Sequence, residues 1–368
     1  MSIAVITIIG DNYGSVLQAY SLQKCFNEEG ADSFLLEIEN RFSIKKIAKT
    51  VFRLFNKKSR KKELLKLYSR YRNNKKFKKV RLFYKENIAL HTYRNIKSIE
   101  HEEQKVTTFC CGSDQVWNPM FQPSRFLYAD FNVSNKVHFC SYAASIGVSD
   151  IDNKSKDYYH NYLNKFSEIS VRENEGKKVL ENIFPNKTIR VDVDPVLLHD
   201  AFFWAKKCSG RFEGQSYIFL YMLRPIPELV ELAKKVSKKL SLPIYYIGDY
   251  YEKSENLKMI CDAGVSDFLD IITNADIVIT NSFHGTVFST LFHKNFCSYA
   301  VSGTGSRVHS YLDKIELKDR LIDLNFNLPI NYFNNNINWE KTDTLISKLR
   351  KESKEYIKSI ADRERNYV

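Results

Sequence analysis

What this 368-residue chain lacks narrows its function early. Its seven cysteines (Cys25, Cys110, Cys111, Cys140, Cys208, Cys261 and Cys297) are odd in number, scattered, and form no C-x-x-C pair. That pattern argues against a disulfide framework or a zinc knuckle and for a reducing compartment. No apolar run reaches the length needed to span a bilayer. The N-terminal MSIAVITIIGDN has no basic leader and turns polar too soon for a signal peptide. A cytoplasmic location is expected, with contact to the inner face of a membrane left open. His91, His101, His138, His160, His199, His293 and His309 fall at no metal-type spacing, so no metal site or cofactor is expected from them.

One long stretch also lacks acid. Between Arg41 and Lys85 only Glu63 is acidic, and much of the formal net charge of +13 is concentrated there. Ile47, Val51, Leu54, Phe55, Leu64, Leu65, Leu67 and Tyr68 recur at near-helical spacing among the lysines. Such a segment suits an anionic lipid surface, a nucleic acid or a solvated helical insertion. With no recognised nucleic-acid fold beside it, nucleic acid ranks last.

What is present points to a large α/β protein. Hydrophobic residues make up 43% and aromatics 14% of the chain, enough for sizeable cores. The length exceeds the usual limit of one core, so two domains are the default. Short apolar runs (Ile3–Ile9, Phe34–Ile38, Val106–Cys111, Val137–Tyr142, Ile169–Val171 and Ile189–Val193) alternate with helical patterns. A second alternating set follows the change of character at 202–214. It comprises Tyr217–Leu223, Ile226–Leu240, Ile244–Gly248, Asp276–Thr280 and Phe296–Ala300. Alternation of this kind implies parallel sheets covered on both faces. The expected layout is a Rossmann-like domain over residues 1–205, with the basic insertion 41–85, and a second over 206–335. A C-terminal amphipathic helix over 336–368 has Leu345, Ile346, Leu349, Tyr356, Ile357 and Ile360 as its stripe.

Unusual polar clusters fall just after the strand-like runs, where open α/β sheets bind ligands. They are Gly10–Ser15, Gly112–Gln115 with Trp117, Ala143–Gly147, Arg172-Glu173, Asp194-Pro195 and Asn281–His284. In the last, a β-branched run stops at Asn281-Ser282, two good N-cap residues, and places His284 in the first turn of a helix. Unpaired amides and the positive dipole end gather there, which suits an anion with a proton donor beside it. A core histidine under a loop is the equal alternative from that segment alone. Arg172 directly after a buried strand favours anion binding over a surface ion pair with Glu173 or Glu175. Asp114 reads as a turn or cap residue at least as readily as a base. Gly10 and Gly14 can serve a tight turn, since the loop lacks G-x-G-x-x-G spacing. Asp192-Val193-Asp194 could hold a divalent metal, but Pro195 makes Asp194 look like a turn residue. The loop Ser302–Arg307, with Gly303, Gly305 and one arginine at a helix start, suits a phosphate or carboxylate.

On these motifs the chain resembles the polysaccharide pyruvyl transferase family. The likeness rests on GDNYGS (10–15), CGSDQVWNP (111–119), SYAASIG (141–147), SVRENEG (170–176), VDPVLL (193–198) and TNSFHGTVFSTLF (280–292), in order. It implies a GT-B-like fold and transfer of an enolpyruvyl-derived group from phosphoenolpyruvate to a saccharide, forming a pyruvate ketal. Capsule or another cell-surface polysaccharide is the implied product, and the acceptor can be lipid-linked, nucleotide-linked or polymeric. The family's crevice arginine maps onto Arg172 and its active-site histidine onto His284. Ser282-Phe283-His284 departs from the Arg-Leu-His of other members, so one donor cation is absent and Arg307 is the candidate substitute. On this reading His284 is the general acid and Asp114 the candidate base. Arg172, Arg307, Asn281, Ser282, Gly303 and Gly305 hold the donor; Asn12, Tyr13, Ser15, Gln115 and Trp117 face the acceptor. The alternatives are a GT-B glycosyltransferase using a nucleotide sugar, or a non-catalytic glycan-binding protein at a membrane surface.

Overall fold

The computed structural model describes residues 2–39, 68, 71–102, 106–121, 124–133, 137–248, 256–302, 305–323, 332–334 and 336–365. Most of the basic stretch, including 41–67, lies outside the described residues, as do Gly303 and Thr304.

Two parallel sheets organise the chain. The first joins β1 (Ser2–Ile6), β2 (Ser33–Ile38), β3 (Leu90–Tyr93), β4 (Val106–Cys111) and β5 (His138–Ser141) in the order β3-β2-β1-β4-β5. β6 (Ile169–Val171) and β7 (Ile189–Val191) form a parallel pair that bridges onto the β5 side through Cys140–Glu168 and Ala144–Val171. The second sheet contains β8 (Ile218–Met222), β9 (Ile244–Gly248), β10 (Leu257–Met259), β11 (Ile277–Thr280), β12 (Asn295–Tyr299) and β13 (Leu321–Ile322). Its order is β10-β9-β8-β11-β12-β13. Strands covered on both faces need apolar residues throughout, which is why β1, β8 and β11 read as unbroken buried runs.

The connecting helices are α1 (Tyr13–Glu28), α2 (Asn74–Asn87), α3 (Ile96–Glu102), α4 (Asn153–Leu163), α5 (Asn174–Ile183) and α6 (Ala201–Ala205). The chain continues through α7 (Pro227–Leu240), α8 (Val265–Asn274), α9 (Phe283–Leu291), α10 (Ser306–Lys314) and α11 (Trp339–Arg365). This is the α/β, GT-B-like architecture expected: two Rossmann-like sheets with a terminal helix. Sequence reading passed over β3, β10 and β13, which are only two to four residues long. It also passed over α8, although Val265, Phe268, Leu269 and Ile272 give it a helical apolar period.

Two elements tie the lobes together. α1 is buried on nearly all sides, and one hydrophobic cluster joins its Tyr13, Val16 and Tyr20 to Phe268 of α8, Phe288 of α9 and Ile357 of α11. α11 returns to the first sheet, where Tyr356 Oη donates to Ser141 O at 3.0 Å and Arg363 pairs with Glu168 at 2.8 Å. The described end of the basic stretch also bridges. On α2, Lys79 pairs with Asp267 of α8 at 2.7 Å, and the Lys76 ammonium lies 4.6 Å from the Tyr13 ring centroid. Among the described residues no helix is long and apolar enough to cross a membrane.

Candidate active site

Strand order locates the site. In each sheet the direction of winding reverses between two central neighbours, β1/β4 in the first and β8/β11 in the second. Loops leaving such a pair diverge to opposite faces and open a crevice at the strand ends. Here the two crevices face each other around a cavity of about 290 Å³. Asn12, Asp114 and Gln115, after β1 and β4, line one side. Leu223, Arg224, Asn281, Phe283 and His284, after β8 and β11, line the other, and Gly305 and Arg307 at the start of α10 complete it.

His284 sits in the first turn of α9, whose N-cap Ser282 accepts from Gly285 N at 3.2 Å. Its Nε2 lies 3.3 Å from Oδ2 of Asp194, which is fully buried on the opposite lobe. The ring lies against Gly14 of α1: any side chain there would run into the imidazole. Gly14 therefore serves close approach, and the tight-turn reading is set aside. Burial alone would raise the Asp194 carboxyl, but His284, then Arg172 and the Val196 N–H, hold it well below the usual carboxylate range. Asp194 also caps the turn Pro195–Leu198 through Val196 N at 3.1 Å. The turn reading was right, and it missed the charge hub. No cluster of three or more metal-ligand side chains occurs among the described residues.

Arg172 is buried and donates from Nη1 to Asp194, with Nη2 at 3.6 Å from Asp114 Oδ1. Its guanidinium carbon is 4.7 Å from the Phe283 ring centroid. Arg172 therefore lies behind Asp114 and Phe283 instead of forming the cavity wall. Its Nε and Nη2 lack a hydrogen-bond acceptor among the described residues. A buried donor left so costs about 1–3 kcal/mol, so Arg172 is held behind the wall at the expense of stability. Arg307 does reach the wall, 5.6 Å from the same ring centroid. Burial and then Arg172 push it down to about 10, against the pull of Asp114, Glu173 and Asp194. The shift records first the cost of burying the guanidinium and only second its repulsion from Arg172.

Several expected contacts are displaced by packing. Tyr13 stacks on Phe268 at 4.5 Å and donates to Ala263 O at 2.7 Å, so it belongs to the lobe interface. Trp117 is fully buried and donates to Leu127 O at 3.1 Å, away from the cavity. Ser15 Oγ donates back to Asn12 O at 3.0 Å, within its own helix start. The amides of Ser282 and Gly285 are taken by Thr280 Oγ1 and Ser282 Oγ, which removes them from an anion clamp. Asn281 is a strut: it accepts from Leu223 N at 2.8 Å and donates to Arg224 O at 2.7 Å. That strut holds Arg224 at the rim, a wall residue that sequence reasoning missed although it follows β8 just as the other clusters follow their strands. Glu173 accepts from Ser145 Oγ, Ile146 N and Gly147 N, so it anchors a loop instead of pairing with Arg172. Asp114 adopts φ 64° in a bend and accepts from Gln115 N through Oδ1 at 2.8 Å, at the cavity edge.

Comparison with known proteins adds to this geometry. UDP-N-acetylglucosamine 2-epimerase from Rickettsia bellii is similar at 10% identity and a TM-score of 0.49, covering 97% of this chain and 98% of that one. The Methanocaldococcus jannaschii UDP-GlcNAc 2-epimerase in complex with UDP-GlcNAc and UDP gives 14% identity and 0.47, over 95% and 99%. The glycotransferase of kitacinnamycin gives 11% and 0.47, over 99% and 98%. No curated protein matches the chain. Residues 12–303, from the N-cap of α1 to the loop before α10, match the polysaccharide pyruvyl transferase family, and the chain belongs to it.

Proposed function

We propose that this protein transfers an enolpyruvyl-derived group from phosphoenolpyruvate to a saccharide, forming a pyruvate ketal during cell-surface polysaccharide synthesis. One observation supports this most: a small cavity carries two arginines beside a histidine that is paired with a buried carboxylate. Phosphoenolpyruvate brings a phosphate and a carboxylate, and cationic forks are the side chains that bind both well. Arg307 and Arg224 are the direct donor contacts in this reading, with Arg172 reinforcing them from behind.

The chemistry then balances with side chains alone. His284 delivers a proton to the donor methylene carbon, making the neighbouring carbon electrophilic. An acceptor hydroxyl adds there and gives its proton to Asp114. The bond to the phosphate oxygen breaks, a second hydroxyl of the same sugar adds to that carbon, and its proton leaves with phosphate. Asp194, 3.3 Å from Nε2, orients the His284 ring, while the arginines stabilise the departing phosphate. Asn12 and Gln115 lie on the acceptor side. The test is incubation with phosphoenolpyruvate and candidate saccharides, following phosphate release and the mass gain of a ketal. Release that requires both partners supports the proposal; a nucleotide sugar consumed in place of phosphoenolpyruvate would replace it.

A further inference from the structure

We propose that the acceptor is held beyond the reactive cavity by a second saccharide subsite centred on Tyr158, reached across the turn Pro119–Phe121. This rests on the pyruvyl-transfer reading for the identity of the reacting sugar. It deepens that reading by requiring an acceptor of more than one sugar residue.

The turn separates two hollows. Phe121 lines the reactive cavity, while Pro119 lines a neighbouring depression of about 410 Å³ together with Tyr128, Asp152, Ser155 and Tyr158. Pro119 and Phe121 are the two ends of one three-residue 3₁₀ turn, so the hollows adjoin at that turn. Between them Met120 and Phe121 are 57% and 51% exposed. Their exposure is not the result of a loose loop. Met120 N donates to Asn118 Oδ1 at 2.9 Å, and Asn118 Nδ2 donates to Gln115 Oε1 at 2.8 Å. Gly147 has φ +72°, and a side chain there would strike both of those amides. Two large apolar side chains presented on a pinned turn mark a contact surface more than a packing residue.

The depression has the chemistry of a sugar platform. The Tyr158 ring packs on Tyr162 at 4.3 Å and edge-on to Tyr128 at 5.1 Å, which fixes it while leaving it partly exposed. Tyr159 behind it donates to Trp117 O, tying the platform to the same segment that reaches the cavity. Asp152 and Ser155 stand at the rim. A pyranose offers an apolar C–H face and an edge of hydroxyls, and an immobilised aromatic ring with a polar rim complements both.

The test is saturation-transfer NMR of the full chain with cellotriose, chitotriose and laminaritriose against their monosaccharides. A trisaccharide should bind more tightly than its monosaccharide, and Tyr158→Ala should weaken it about tenfold, whereas Tyr158→Phe keeps most of the affinity. If no trisaccharide outbinds its monosaccharide, or if Tyr158→Ala binds like the parent, the subsite is wrong. Should Tyr158→Ala melt early, Tyr158→Leu preserves bulk without the ring and carries the same expectation. Thermal shift with phosphoenolpyruvate reports the donor reading separately. Tyr158-dependent trisaccharide binding without a donor shift would leave the subsite standing and remove the donor.

Discussion

His284 and Asp194 meet across the two lobes, Nε2 to Oδ2 at 3.3 Å, with the carboxylate fully buried. Replacing Asp194 with asparagine removes the orienting charge, and phosphate release should fall about 10²- to 10⁴-fold, the range for a displaced general acid. A carboxyl depressed on folding stabilises the fold above its unfolded value of about 3.9 and loses that contribution as pH falls. Asp194→Asn should therefore flatten the acid limb of the stability curve below about pH 4, read by chemical denaturation at a series of pH values. An unchanged acid limb would mean that the pairing contributes nothing to folding.

Gly14→Ala separates two meanings of a helical glycine. In an ordinary helix the change stabilises by about 1 kcal/mol. Here the added methyl enters the space of the His284 imidazole, so overpacking of about 1–3 kcal/mol should dominate and activity should collapse. A raised melting temperature with full turnover would show that the ring does not occupy that space in solution.

Arg307→Met should raise the dissociation constant for phosphoenolpyruvate about ten- to a hundredfold, the loss of a charge-assisted contact. Arg224→Met, at a more exposed site, should cost less. Because the Arg307 cation is present below its value of about 10 and lost above it, donor affinity should fall as pH rises through that value. The Met variant should lack that alkaline limb, which calorimetric titration can check.

Lys79 and Asp267 span the lobes at 2.7 Å, yet Lys79 is nearly half exposed. Their coupling in a double-mutant cycle should stay under about 1 kcal/mol. Asp267→Ala should cost more, about 2 kcal/mol, because Gly264 N and Ser209 Oγ also lose their acceptor. Urea unfolding of the four proteins measures both quantities.

The sequence by itself determined the alternation of buried strands and helices, the strand ends at which polar residues gather, and the helix start that carries His284. Each is a local property, written in apolar period and capping chemistry over a few consecutive residues. α11 was legible over its whole length for that reason. Its docking on the first sheet was not, since a stripe states that a face will be covered but not by what.

Tertiary structure decided the rest. Arg172 and Asp194 lie on one lobe and His284 on the other, and only the packing of α1 between the sheets brings them together. The same packing turns Tyr13 inward, makes Gly14 a contact surface and leaves Arg224 on the wall, while Trp117 is buried by Tyr128 and Phe166 within the first lobe. Strand periodicity fixes which face a residue takes within its own sheet. Charge compensation and close approach depend on groups brought in from distant parts of the chain, and their partners exist only once both sheets have folded against each other.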